Sequence, residues 1–547
     1  MIILGSEIDL LLINGNVLSL DVHNTRAQAV AVKNGTIVGI GTTDELYPMA
    51  GKHTRILDMH GKTVVPGFIE SHNHFLSRGL LMSQIDCSTP SNIHISDILQ
   101  KVAEKARTTP EGEWILGTNY DDTLLAEMRH PTRDELDEAA PRHPVYLRHV
   151  TGHIGVGNSL ALDVADFNRN TPDPSGGCIV RNPVSGELTG LVEESANNIM
   201  RQLAFRPGLK EMRTALLDAQ TEYLKMGVTS VHDLGFAEGG ALMARAYQEA
   251  VESGGLKISI YLTFRDHQLS GLFDSLRRDM GFFTGFGNDR LRIGALKLIH
   301  DGSIQAWTAA LGEPYLGKPQ DFKGYLWMNQ DELDHKVSAG HEAGFQVSIH
   351  CNGDRAIESA LSSIASAQRS FSRPGIRHRL EHCQLATDEQ LDKIRDLGVV
   401  VSFFVQHTYY WGDRHMNIFL GPERARRIDP LNSALKRGII FSLHSDCPVT
   451  PVNPIFGIWS AVNRQTRDGH ILGPEERIGP LDALRAFTIN AAYLSFDEKK
   501  KGSLEIGKEA DMVVLTDDPL SVDLQAIKEI LVEKTIIKGK IEYDSSH

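Results

Sequence analysis

Thr63-Val-Val-Pro-Gly-Phe-Ile-Glu-Ser-His-Asn-His-Phe75 reads as a buried apolar strand that runs into two histidines one residue apart. Side chains alternate faces along a strand, so His72 and His74 point the same way at its end. Two imidazoles placed side by side can hold one metal ion. An isolated His-x-His pair is as readily two polar residues at a strand end, so the residues further along the chain have to decide.

Downstream, short apolar runs alternate with helical stretches. The runs are Val228–Asp233, Lys257–Phe264, Leu291–Gly302, Gln346–Gly353, Arg377–Cys383, Val399–His407 and Ile439–Asp446. Strands separated by helices imply a parallel sheet. With the opening stretch they number eight, which closes a (β/α)8 TIM-type barrel of the α/β class, whose active site lies at the strands' C-terminal ends. His72, His74, His232, Lys297, His350, His382, His407 and Asp446 all fall at or near those ends.

The chain's two ends have another character. Asn34-Gly35 between two β-branched runs is a strong hairpin signal. Ala510–Leu515 and Thr535–Ile541 return to strand patterning. Residues 1–62 and 500–547 are therefore expected to build one small composite β-sandwich, with the barrel over 63–499. Residues 76–220 are too long for a single barrel connection and read as an insertion or cap. Within them a helix is expected over Ile95–Ala106, a strand over Pro144–His149, and loop over Thr171–Cys178.

The 547 residues carry a net charge of −14, which argues against a nucleic-acid partner. Five scattered cysteines without a C-x-x-C pair point to a reducing, cytoplasmic setting. The N-terminus lacks a signal-peptide pattern. No uncharged apolar run approaches the ~18 residues of a membrane span. No G-x-S-x-G elbow suggests a serine hydrolase.

The ordered set His72-x-His74, Lys297, His350, His382, Asp446 resembles the amidohydrolase superfamily. The phrases VVPGFIESHNH, ALKLIHDGSIQAWTAAL, VSIHCNGDRAI, RLEHCQL, SLHSDCPVTP and GSLEIGKEADMVVL resemble its family 3 branch, which includes N-substituted formamide deformylases. The resemblance implies the barrel and split sandwich already read from the strand rhythm. It implies a divalent cofactor, Zn²⁺ first with Mn²⁺ or Fe²⁺ as alternatives, as one or two ions. His72, His74 and Asp446 would hold one ion and His350 and His382 a second, bridged by N-carboxylated Lys297. Burial between Leu296 and Leu298 favours the neutral amine that such a carbamate needs. Asp446 would shuttle the proton between attacking water and leaving nitrogen, and His407 would polarise the carbonyl. His153, Arg148 and His232 are the expected substrate contacts. His444 stands where the family more usually has glycine.

The implied activity is hydrolysis of a small non-peptide amide, an N-substituted formamide or N-acyl amine. The alternatives are cyclic amides, N-acyl amino acids, carbamate esters, or a non-enzymatic scaffold of the same fold. Homo-oligomerisation is left open, and neither membrane nor nucleic acid is expected as a partner.

Overall fold

A computed structural model describes residues 7–152, 154–174, 177–235, 240–265 and 282–546. It divides into two compact units, Met1–Leu76 with Ala219–His547, and Ser77–Asp218.

In the larger unit, eight parallel strands form one sheet in chain order: Phe68–Asn73, Val228–Asp233, Ser259–Arg265, Leu291–Ile299, Val347–Cys351, Arg379–His382, Val400–Phe403 and Phe441–Leu443. The helices between them bury one stripe each. Asp354–Ser370, for example, turns Ala356, Ile357, Ala360, Leu361, Ile364 and Ala367 inward, at the spacing of a core-facing helix. A reciprocal capping box at Thr387 and Gln390 starts the helix Asp388–Asp396. The first and eighth strands meet through Ser71 Oγ and Ser442 Oγ at 2.8 Å. Just beyond, the amide of Asp446 donates to the carbonyl of His72 (3.2 Å) and that of His74 to Cys447 (2.8 Å). The barrel expected from the strand rhythm is thus present, with its strands in the expected order.

The single strand read over 63–75 is two strands. Thr63–Pro66 pairs antiparallel with Met512–Leu515 and parallel with Asn16–Leu18. Phe68–Asn73 opens the barrel. The switch falls at Pro66-Gly67, where proline has no N–H to extend a ladder. A Cβ on Gly67 would lie 2.2 Å from Thr229 Oγ1, so the close approach of the two sheets here requires glycine.

The other strands of this unit form two sheets. One runs Thr36–Gly41, Ala29–Lys33, Leu10–Ile13, Arg55–Asp58, and the other contains Asn16–Leu18, Thr63–Pro66, Met512–Leu515, Val532–Ile537 and Lys540–Asp544. Alternation along Leu10–Ile13 sends Leu10 and Leu12 into a core shared with Val17, Val64, Met512, Val514 and Ile536. Leu11 and Ile13 go to the other face, against Ala29, Ala31 and Leu46. Both chain ends therefore supply one sandwich core. Asn34 (φ 49°) and Gly35 (φ 76°) make the expected hairpin turn, with both central residues left-handed.

The unit Ser77–Asp218 has its own six-stranded sheet. The expected helix Ile95–Ala106 buries Ile95, Ile98 and Val102. The strand Val145–His149 is present. The loop expected to reach Cys178 ends earlier, because Gly177–Arg181 pairs antiparallel with Leu188–Glu194.

Candidate active site

His72, His74 and Asp446 converge where the barrel closes. Nε2 of His72 and Nε2 of His74 each lie 3.4 Å from Oδ1 of Asp446. The two histidines are oriented from behind. His72 Nδ1 is 2.7 Å from Glu381 Oε2. His74 Nδ1 donates to the carbonyl of Gly235 at 3.0 Å. With both Nδ1 positions engaged, the Nε2 lone pairs are the ones turned toward Asp446, as expected of metal-ligating imidazoles. Asp446 sits at φ 53°, and His382 (68°) and Cys383 (49°) are left-handed as well. Such backbone strain gathers at functional sites.

Buried polar atoms without partners test whether a cation fits here. Among the described residues, Lys297 Nζ, His382 Nδ1, both ring nitrogens of His444 and Asp446 Oδ1 are buried and find no hydrogen-bond partner. Such atoms are rare in folded proteins and call for a specific reason. Ligand atoms of His72, His382 and His444 lie within 4.8 Å of one another, as do those of His72, His74 and Asp446. The His350 ring centroid is 4.5 Å from that of His382. A set of imidazoles and a carboxylate with lone pairs to spare fits a divalent ion.

Burial holds the rings of His72, His382 and His444 neutral. It pushes His72 and His382 well below the ordinary imidazole value and His444 down to about 4. Burial likewise pushes Lys297 down to about 8, so its neutral amine is accessible near physiological pH. Lys297 is only 3% exposed, so it does not snorkel to solvent.

Three supporting residues escaped the sequence reading. Glu381 and Arg379 lie two apart on one strand and so share a face, which is the signal that could have paired them. Glu70, raised by burial to about 8, accepts from the Ser445 amide and hydroxyl at 3.0 Å and so holds the turn that carries Asp446.

The other sequence candidates are placed differently. His232 accepts from Arg379 Nη1 at 3.1 Å through its Nδ1 and packs against Tyr261. His407 Nδ1 is 2.9 Å from His415 Nε2, and Phe404 packs against His407, His444 and His382. His444 lies between Phe404 and His72, stacked on both. Arg148 belongs to the Ser77–Asp218 unit, and His153 lies outside the described residues.

A parallel barrel with this donor set at the C-terminal ends of its strands defines a metal-dependent hydrolase. Residues 55–543 match the model of the amidohydrolase family, and the chain belongs to that family. It is 32% identical over 546 residues to N-substituted formamide deformylase of Arthrobacter pascens, covering 98% of each chain. It is 33% identical to Protein LONG AFTER FAR-RED 3 of Arabidopsis thaliana, over 98% of this chain and 92% of that one. The crystal structure of an uncharacterized metal-dependent hydrolase from Pyrococcus furiosus superposes with a TM-score of 0.76 at 27% identity, over 94% of this chain and 100% of the other. The protein is accordingly a metal-dependent hydrolase acting on carbon–nitrogen bonds. Among the described residues no helix is long and apolar enough to cross a membrane.

Proposed function

We propose that the enzyme hydrolyses a small non-peptide amide, an N-substituted formamide or related N-acyl amine, with Zn²⁺ as its metal. The observation that carries this reading is the convergence of His72, His74 and Asp446 beside the unpartnered atoms of Lys297, His382 and His444. His72, His74 and Asp446 would hold one ion. His350 and His382 would hold a second, with Lys297 between them as a carbamate formed when its neutral amine adds CO₂ and releases a proton. The similarity to the deformylase supports the substrate class. A cytoplasmic location fits the free cysteines, four of which are buried.

When bound, the cation supplies Lewis-acid charge that makes water a nucleophile near neutral pH and polarises a carbonyl. The remaining work falls to the chain's own groups. The Asp446 carboxylate would take a proton from the attacking water and return it to the departing nitrogen. Phe404, packed over His444 and His382, would keep the reacting atoms from bulk water on its side. His407 would aid carbonyl polarisation from its place beside Phe404, while His232 remains a proposed substrate contact.

The test is a screen of N-formyl, N-acyl and cyclic amides and carbamate esters with Zn²⁺- or Mn²⁺-loaded protein. Turnover of N-substituted formamides or N-acyl amines supports the proposal. Turnover confined to cyclic amides or carbamate esters replaces the substrate class. No C–N turnover in metal-loaded protein overturns it.

A further inference from the structure

We propose that Glu381 is a positioning residue that fixes the ring proton of His72 on Nδ1 and thereby sets the affinity of the centre for its cation. The inference rests on the metal-centre reading of the proposed function and adds a determinant outside the expected ligand set.

The geometry leaves His72 one choice. Glu381 Oε2 lies 2.7 Å from His72 Nδ1. An ionised carboxylate only accepts, so the ring must donate from Nδ1. The lone pair then sits on Nε2, the atom 3.4 Å from Asp446 Oδ1. Had the proton been on Nε2, two acceptors would face each other across the shorter distance, and the ring could not bind a cation where Asp446 waits.

Glu381 is itself held from two strands. Ser348 Oγ donates to Oε1 at 2.6 Å, and the guanidinium of Arg379 reaches Oε2 at 3.2 Å. Arg379 is fixed in turn by the Ser71 carbonyl at 2.8 Å and by His232 Nδ1 at 3.1 Å. Arg379 and Glu381 are fully buried, and His72 and His232 nearly so. One hydrogen-bonded chain therefore links the first, second, fifth and sixth barrel strands and ends on a metal-facing imidazole. His74, by contrast, donates to a backbone carbonyl, a neutral acceptor. A carboxylate behind an imidazole raises its basicity as well as orienting it, so His72 is the stronger donor of the pair.

A buried Arg–Glu pair that merely holds the barrel would leave metal affinity alone, and this separates the two roles. In full-length protein, Glu381→Gln is expected to bind Zn²⁺ about 10–100-fold more weakly, read by chelator competition with Zn²⁺ alone. The glutamine can turn its amide to donate toward Nδ1, which moves the ring proton to Nε2. Loss of the counter-charge to Arg379 could stop this variant from folding. A second measurement then decides: ¹⁵N NMR of histidine-labelled, metal-free native protein should show a ring protonated at Nδ1 that disappears in His72→Gln. A folded Glu381→Gln protein with native Zn²⁺ affinity, or a native His72 protonated at Nε2, overturns the proposal. Native protein that shows the Nδ1 proton but binds no divalent ion supports the positioning of His72 and overturns the metal-centre reading instead.

Discussion

Nε2 of His72 lies 3.4 Å from Oδ1 of Asp446, across the line where the barrel's first strand meets its eighth. Too long for a good hydrogen bond, the separation suits two atoms sharing one cation. Dialysis against a chelator should therefore abolish hydrolysis, and Zn²⁺ or Mn²⁺ should restore it. Full turnover in protein shown by elemental analysis to be metal-free would sink this reading.

Asp446→Asn keeps the side chain's shape and one ligating oxygen but cannot accept a proton. It should retain most of its metal and lose at least ~10²-fold in kcat, the low end of a general acid–base contribution. Normal metal content with turnover within a few-fold of native would leave Asp446 as a ligand alone.

Lys297→Ala should lose bound metal and activity, and a short carboxylic acid added to the buffer should restore part of both by filling the carbamate's place. Unchanged metal content and rate in the alanine variant would rule out the bridge.

The same lysine predicts a pH dependence in metal-free, CO₂-free protein. Burial lowers it from an ordinary 10.5 to about 8. Between those values the folded chain holds fewer protons than the unfolded one, so stability rises with pH. The cost of the buried ammonium is present in full below pH 8 and is relieved as the pH climbs toward 10.5. Urea melts of native protein and Lys297→Met should converge over that window. A gap that does not change from about pH 7 to about pH 10 would contradict it.

Ile536, from the chain's last strands, is fully buried beside Leu10, Leu12 and Val64. Ile536→Ala should destabilise the protein by about 2–5 kcal/mol, as core truncations do. Deleting residues 503–547 should lower the melting temperature further, since Met512–Leu515 pairs directly with Thr63–Pro66. A truncated chain that melts like the full one would show the tail to be an appendage.

The barrel was legible because its strands are short apolar runs ending in polar residues, a pattern that survives without partners. The shift of Thr63–Pro66 into the sandwich was not, because a buried strand reads the same whichever sheet receives it; only the Pro66-Gly67 break hints at the change. His72, His74 and Asp446 could be named because their order in the chain resembles that of the family. Glu381 could not, because its task depends on Ser348 and His72 arriving from two other strands. His407 could be read from its place at the end of the seventh strand, but its pairing through Nδ1 with His415 could not, because a helix with one widened turn brings His415 back beside it.

Ser71 and Ser442 touch at the barrel's seam although 371 residues separate them. A cation gripped by His72 and Asp446 would therefore act on the chain as a clasp on a very long loop. Closing a loop of that size carries an entropic cost that grows with the logarithm of its length, and a cross-link that survives in the folded state offsets it. The ion that performs the chemistry would also hold the two ends of the sheet together. Amides of the first and eighth strands should then exchange with solvent faster in metal-free protein than those of the fourth and fifth, opposite the clasp.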